Sequence, residues 1–171
     1  MEIILLAIAW IIIGTLALGA FRGAPWVPTR SPDVARVMAI ADVKSGEVVA
    51  DLGCGSGRVL AAFANRGCQV RGWELAIVPW LIARWRLRHF SSARIHYGDF
   101  WRANFSDVDL VYVFLMPATL RRLREKFKRE LKSGARVVSY AFPIADWTPE
   151  RIDSAPGRIT IYRYKLCLVE Q

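Results

Sequence analysis

Cysteine and histidine are scarce in this sequence of 171 residues. Only Cys54, Cys68 and Cys167 occur, and the histidines are His89 and His96. Three cysteines without paired spacing exclude a disulfide scaffold and indicate a reducing compartment. The spacing also gives no zinc-site pattern, so no metal-ligand cluster is expected. A lone histidine at a helix end or within a strand is more often structural than catalytic. The sequence therefore offers no evident general base.

Acidic residues are in deficit, with 15 Asp and Glu against 24 Lys and Arg. Residues 22–171 contain all 24 basic and 14 of the acidic residues, a net charge of +10. Such a surface favours anionic partners, either a membrane surface or nucleic acid. The charge is concentrated at Arg84, Arg86 and Arg88 on one predicted helix, and within 121–132 on another. A solvated helix face is the alternative interpretation of both runs.

Charge is absent from Ile3 to Phe21, where two glycines and a threonine interrupt an apolar run of 19 residues. A helix of about 20 apolar residues spans a bilayer, so we expect a single-pass transmembrane helix. A signal peptide is disfavoured, because an acidic residue precedes the run and the run is too long. A buried core helix is also disfavoured, because the segment is apolar all round. Arg22 and Arg30 follow the run, which predicts that the remaining chain faces the cytoplasm, or the matrix in a mitochondrion.

Alternating strands and helices are predicted after residue 46. The hydrophobic pattern predicts strands at 47–52, 69–73, 93–97, 108–116, 135–142 and 159–168, and helices at 58–65, 79–89 and 118–131. This alternation is typical of a doubly wound, mostly parallel α/β sheet. We expect residues 1–22 to form the transmembrane anchor, 23–46 a connector and an N-terminal helix, and 47–171 one α/β domain.

A glycine-rich loop follows the first predicted strand, with the sequence D-L-G-C-G-S-G-R over Asp51–Arg58. Glycines let a strand turn tightly and let a ligand approach the backbone. The helix that follows presents unpaired N–H groups to an anionic group. The dinucleotide fingerprint G-x-G-x-x-G does not fit, because its sixth position is Arg58. The loop therefore indicates a ligand site of another kind at the carboxyl edge of the sheet.

The loop and two later strand ends resemble motifs of class I S-adenosylmethionine-dependent methyltransferases. In that family an acid at the end of strand two accepts hydrogen bonds from the ribose hydroxyls, and Glu74 stands there. Asp99 and Phe100 match the family's adenine contacts after strand three. The resemblance implies a Rossmann-like fold with seven strands and S-adenosylmethionine as cofactor. The cofactor-binding residues that it implies are Asp51, Gly53, Cys54, Gly55, Gly57, Glu74, Asp99 and Phe100.

Two further elements narrow the resemblance. Trp26 precedes V-P-T at 27–29, and F-P at 142–143 precedes W-T-P at 147–149. With the apolar run 111–117, these elements resemble the protein-lysine methyltransferases of the ATP synthase c-subunit, the adenine nucleotide translocase and their archaeal broad-specificity relatives. The resemblance covers about residues 25–165 and implies a protein substrate with an accessible lysine, and the membrane anchor favours a membrane protein as that substrate. The family commonly has Tyr or Phe where this chain has Trp26.

Methylation of lysine requires a deprotonated amine in line with the methyl group. An apolar channel disfavours the ammonium form and lowers the pKa of the amine from about 10.4. Trp26, Phe142 and Trp147 are the candidates for the walls of this channel, with Met116 and Pro117 as its floor. The alternative is that these aromatic residues are ordinary core side chains.

Three other functions are considered. An RNA or DNA methyltransferase is disfavoured, because the Asn/Asp-Pro-Pro-aromatic signature is absent where strand four ends in F-L-M-P at 114–117. A small-molecule acceptor, such as a lipid or a quinone precursor, is compatible with a membrane anchor. A tethered cofactor-binding scaffold without activity is disfavoured, because Asp51, Glu74 and the loop glycines are all present.

Overall fold

The computed structural model describes residues 1–22 and 26–167. The helices are α1 (Glu2–Arg22), α2 (Ser31–Ala41), α3 (Arg58–Asn65), α4 (Ile77–Arg86) and α5 (Pro117–Glu130), and Phe100–Arg102 form one turn of 3-10 helix. The strands are β1 (Val48–Leu52), β2 (Gln69–Glu74), β3 (Ala93–Tyr97), β4 (Leu110–Val113), β5 (Arg136–Tyr140), β6 (Arg151–Asp153) and β7 (Ile161–Lys165). Strands and helices alternate from β1 to β5, as predicted.

The seven strands form one mixed sheet in the order β3-β2-β1-β4-β5-β7-β6. β1 to β5 are parallel, whereas β7 runs antiparallel to both β5 and β6. The strand order reverses between β1 and β4. In open α/β sheets, ligands bind in the crevice at such a point, beyond the carboxyl ends of the strands.

Side chains of the buried strands alternate between the two faces of the sheet. Along β1, Val49 joins the cluster that packs under α2, α3 and α4, and Ala50 joins the cluster under α5. α4 contributes Ala83 and Leu87 to the first cluster, and α5 contributes Phe127 to the second. α4 and α5 therefore lie on opposite faces of the sheet.

The structure shortens three predicted strands by several residues and adds one. β4 covers Leu110–Val113 of the predicted 108–116, and β5 covers Arg136–Tyr140 of the predicted 135–142. β7 covers Ile161–Lys165 of the predicted 159–168, whose residue 168 lies outside the described residues. The hydrophobic pattern contained six strands. The seventh, which the family resemblance implied, is β6, a three-residue edge strand with exposed side chains at its first two positions. A strand this short and exposed has too little apolar alternation to be recognised from its sequence.

α1 coincides with the apolar run at the N-terminus. Its side chains at Ile3, Leu5 and Trp10 are exposed, and its later part packs against α4. The backbone N–H of Ile77 donates to Thr15 Oγ1 at 3.4 Å in this contact. Within 1–22 and 26–167, no helix is long and apolar enough to cross a membrane. The transmembrane helix expected over residues 1–22 is therefore not confirmed.

Candidate functional site

A cleft opens at the carboxyl ends of β1, β2 and β4, where the strand order reverses. It encloses about 830 Å³ of space, open solvent included. Its wall is made by Gly19 of α1, by residues 26–29, by the glycine-rich loop, by residues 73–76, by Gly98 and Phe100, and by residues at the end of β4. The cleft thus forms where the sequence predicts a ligand.

The glycine-rich loop turns back against the end of β2. The N–H groups of Gly53 and Cys54 both donate to the carbonyl of Trp73, at 2.9 and 3.0 Å. Gly53, Gly55 and Gly57 adopt φ values of +80°, +53° and +69°, a region that L side chains rarely adopt. A Cβ at Gly55 would lie 2.9 Å from the indole Nε1 of Trp26. The loop therefore needs glycine at Gly55 both for its backbone conformation and for the approach of Trp26.

Two acidic side chains are buried beside this loop. Glu74 accepts hydrogen bonds from the N–H of Gly55 at 2.9 Å and from the N–H of Ala76 at 2.8 Å. Burial raises the pKa of Glu74, although these N–H groups act in the opposite direction. Burial, with the nearby charge of Glu74, also raises the pKa of Asp51 well above its ordinary value. The cleft therefore combines carboxylate acceptors with a glycine cradle.

The segment before α2 forms the opposite wall, with Trp26 at its start. The Thr29 hydroxyl hydrogen-bonds the Tyr112 hydroxyl at 2.8 Å, and this pair is buried. Arg58 Nη1 donates to Ser31 Oγ at 2.7 Å and to the carbonyl of Thr29 at 3.2 Å. These bonds join the segment to β4 and to the first residue of α3. They therefore fix the wall that carries Trp26 against the glycine-rich loop.

Six of the eight residues predicted to bind the cofactor line the cleft: Asp51, Gly53, Cys54, Gly55, Glu74 and Phe100. Gly57 and Asp99 do not line it. Gly57 begins α3, and a Cβ there would lie 3.1 Å from that of Ala83. Asp99 accepts a hydrogen bond from the N–H of Trp101 and caps the 3-10 turn. Burial raises the pKa of the Cys54 thiol well above its ordinary value, which disfavours a reactive thiolate.

The predicted channel residues are spread over a wider area. Trp26 lines the cleft, and Met116 and Pro117 are exposed just beyond Leu115, which also lines it. Phe142 and Trp147 pack against the cluster under α5. The Trp147 ring lies 6.4 Å from that of Phe127 and 5.7 Å from that of Tyr164. The role of Phe142 and Trp147 at an acceptor channel stays a prediction.

The sequence pattern does not mark Tyr112 or Arg58 as site residues. Tyr112 stands in an apolar strand, where its hydroxyl gives no sign of the partner Thr29, 83 residues earlier. Arg58 stands out in the sequence only because it breaks the dinucleotide fingerprint. A buried tyrosine hydroxyl usually has a hydrogen-bond partner, so a tyrosine within an apolar strand is itself the sequence signal for a contact of this kind.

Comparison with known proteins places this geometry in a family. Residues 51–151 match the model of the ANTKMT methyltransferase domain. The protein-lysine N-methyltransferase of Saccharolobus islandicus is 32% identical over 149 residues, which cover 82% of this chain and 92% of the relative. The chain belongs to the ANTKMT methyltransferase family. The sequence resemblance to protein-lysine methyltransferases is thereby confirmed.

Two further relatives bear on this methyltransferase domain. The human lysine N-methyltransferase of the ATP synthase c-subunit is 32% identical over 145 residues, and the chain spans only 60% of its length. The crystal structure of an RNA methyltransferase from Salinibacter ruber, in complex with S-adenosyl-L-homocysteine, matches with a TM-score of 0.78 and 30% identity. That match covers 85% of this chain and 97% of the other. It confirms the Rossmann-like methyltransferase fold.

Proposed function

We propose that this protein is an S-adenosylmethionine-dependent methyltransferase that acts on lysine side chains of proteins. The observation that carries the proposal is the contact of Glu74 with Gly55, in which a buried carboxylate faces a glycine loop too close to Trp26 to admit a side chain. The site fits the cofactor class because the glycine-rich loop and Glu74 both line the cleft, and a carboxyl group is an acceptor for hydroxyl donors. When bound, the cofactor supplies an electrophilic methyl group.

The chain's own residues bind and orient the ligand and exclude water from it. The glycine-rich loop and Glu74 hold the ligand, and Phe100 and Leu115 supply apolar surface within the cleft. Met116 and Pro117 are exposed beside it, where a flexible side chain from another protein has access. An amine that enters such apolar surroundings has a lowered pKa, because burial disfavours its charged form. This supplies a neutral amine without a general base.

The names of the relatives support two alternative classes of methyl acceptor, protein lysine and RNA. The lysine assignment is supported by the names of the Saccharolobus islandicus and human relatives. The Salinibacter ruber relative is named an RNA methyltransferase, so RNA is the second candidate. The end of β4 favours lysine, because Phe114, Leu115 and Met116 offer apolar surface rather than the polar groups that read a base edge. We therefore place protein lysine first.

The experiment that tests the function uses the full chain, methyl-labelled cofactor and an extract that lacks the activity, with its membrane fraction included. Protein, RNA and lipid are separated after the reaction, and the label in each is counted. Label in protein that hydrolyses to N-methylated lysine supports the proposal. Label confined to RNA or to lipid contradicts it, and a Glu74→Gln protein shows whether any label depends on the cleft.

We also propose that α1 attaches the domain to a membrane, with the methyltransferase domain on the cytoplasmic or matrix side. Support comes from the large apolar side chains of Ile3, Leu6 and Trp10, each more than half exposed, and from the lack of charge between Glu2 and Arg22. The acceptor would then be a membrane protein within reach of α1. Membranes from cells that produce the full chain are washed with alkaline carbonate. Retention supports the attachment, and recovery of the protein in the wash contradicts it.

A further inference from the structure

An exposed face of α4 combines apolar, aromatic and basic side chains. Leu81 and Trp85 are 52% and 67% exposed, Arg84 stands beside them on α4, and Arg88 follows in the turn after the helix. We define the α4 face as Leu81, Arg84 and Trp85 of α4 together with Arg88 of this turn. We propose that this face binds the surface of an anionic lipid bilayer. The inference is separate from methyl transfer and concerns where the domain lies, not what the cleft does.

The chemistry of the α4 face matches the boundary between lipid and water. Tryptophan is enriched at this boundary, where its amphipathic ring lies at headgroup level, and arginine pairs with phosphate. The Arg88 guanidinium lies 4.3 Å from the centre of the Trp85 ring, and that of Arg84 lies 5.1 Å from the Trp80 ring. The cations are thus held against the aromatic rings that would enter the interface.

The surrounding sequence leaves this positive charge uncompensated. Residues 75–98 contain four arginines and no aspartate or glutamate. On α5, Arg124 pairs with Glu125 and Asp146, Lys126 pairs with Glu130 at 2.6 Å, and Lys128 pairs with Glu125. α5 carries its charge without exposed tryptophan or leucine. Of the two basic helices, α4 is therefore the one that combines cations with the exposed apolar surface that lipid binding needs.

The position of α1 bears on which basic helix a bilayer would reach. α1 packs against α4 through the bond from Ile77 to Thr15, and its earlier residues expose large apolar side chains. α5 lies on the opposite face of the sheet. We infer that a bilayer that receives the apolar side chains of α1 lies nearer to α4 than to α5. This arrangement, together with the charge, selects lipid over nucleic acid as the partner.

The test measures how much anionic lipid strengthens binding of the full chain to vesicles. Partition is measured for vesicles of phosphatidylcholine alone and for vesicles with phosphatidylserine added, and the ratio of the two is compared between variants. The Arg84→Glu/Arg88→Glu variant removes the two charges of the face. Each basic residue at such a surface contributes about fivefold, so the ratio is expected to fall at least about 25-fold. Arg121→Glu/Arg129→Glu on α5 is the control with the same change in net charge, and its ratio is expected to change much less.

Three outcomes overturn the proposal. An equal fall in both double variants shows that only net charge matters. An unchanged ratio in the α4 variant shows that the face does not meet lipid. Tighter binding of the wild type to an RNA homopolymer than to the anionic vesicles, lost in the α4 variant alone, shows that the face serves nucleic acid. Circular dichroism and cofactor binding confirm that each variant is folded, so that failure of the lipid proposal is distinguished from failure of the proposed function.

Discussion

At the scale of single residues, the two oxygens of Glu74 explain why an acid ends β2. One carboxylate oxygen accepts the N–H of Gly55 and the other accepts the N–H of Ala76. The N–H of Leu75 also hydrogen-bonds this side chain. These bonds hold the loop, and the side chain also lines the cleft. Glu74 therefore organises the site before any ligand arrives and offers acceptors to hydroxyl donors when one does.

Replacement of Glu74 by Gln tests this double role. The amide keeps the size of the side chain but loses one acceptor and the charge, and a hydrogen bond to a charged group contributes about 1.5–3 kcal/mol. We expect the dissociation constant of S-adenosylmethionine to rise roughly 10- to 100-fold, measured by titration calorimetry. Glu125→Gln on the exposed side of α5 is the control and should bind as wild type does. Equal affinity in all three proteins would show that the site is misplaced.

Gly55 permits a comparison that separates backbone strain from steric conflict. Gly55→Ala places a Cβ at φ +53° and 2.9 Å from Trp26, whereas Gly157→Ala places one at φ +70° with no atom within 4 Å. The positive φ strains both variants by about 1–2 kcal/mol. Gly55→Ala should lose more stability than Gly157→Ala, because its Cβ also meets Trp26. Only Gly55→Ala should lose cofactor affinity, by at least about tenfold, since it alone displaces the wall of the cleft. Similar affinity in the two variants would contradict the role given to Trp26.

The buried carboxylate of Asp33 predicts a dependence of stability on pH. The hydrogen bond from Tyr140, at 2.7 Å, and then those from Arg36 hold the pKa of Asp33 below its ordinary value of 3.8. A carboxylate with a lowered pKa stabilises the fold above pH about 4, and this stability is lost as the pH falls through the folded-state pKa. Tyr140→Phe should therefore be destabilised in urea at pH 6 and approach the wild type at pH 3. Tyr162→Phe is the control, and a Tyr140→Phe deficit of equal size at both pH values would exclude the charge as its cause.

At the scale of elements, a buried pair of hydroxyls, Thr29 and Tyr112, joins the wall between Trp26 and α2 to β4. Thr29→Val leaves the Tyr112 hydroxyl without its partner, which costs about 1–3 kcal/mol in the free energy of unfolding. Removal of both hydroxyls in Thr29→Val/Tyr112→Phe should recover most of that loss, because no polar group is then left unpaired. Chemical denaturation of the wild type, both single variants and the double variant completes the cycle. Additive losses would show that the hydroxyls do not interact.

The same elements show how far the sequence alone predicts this site. The glycine-rich loop, Glu74 and Phe100 are predictable because each follows a strand with a strong apolar pattern, and parallel strands end at one edge. The pairing of Thr29 with Tyr112 is not predictable, because it joins positions 83 residues apart and depends on where the segment before α2 crosses the sheet. β6 could not be predicted for a local reason, since a three-residue strand with two exposed side chains shows no periodicity.

At the scale of the whole molecule, the fold has two unlike faces joined by a sheet. α4 faces the same side as α2 and α3, and α5 covers the other side. The net charge of +10 in residues 22–171 could be counted from the sequence, but its distribution could not. On α5 the acids Glu125 and Glu130 pair with Arg124, Lys126 and Lys128, whereas the sequence 75–98 around α4 contains no aspartate or glutamate. The two helices also differ in the exposure of their large apolar side chains, which the charge count does not show.

Arg36 joins the beginning of the domain to its end. Its guanidinium binds both carboxylate oxygens of Asp153 at 3.1 and 2.7 Å, and donates to Asp33 and to the carbonyl of Ile159 at 2.9 Å. The Arg36 side chain is only 13% exposed, so its removal leaves two acids with an unpaired, partly buried charge. Arg36→Ala should therefore cost about 3–5 kcal/mol in the free energy of unfolding.

Arg71 provides the matched control for this prediction. It also binds an aspartate through two nitrogens, at 2.9 and 2.5 Å, but its partner Asp107 is 55% exposed. Arg71→Ala should cost less than about 1 kcal/mol, because exposed ion pairs are screened by water. Urea denaturation of both variants measures the difference, and protease digestion should cleave the 153–159 segment sooner in Arg36→Ala alone. Equal losses in the two variants would mean that α2 is held to β6 by apolar packing, and that Arg36 adds no more than a surface charge does.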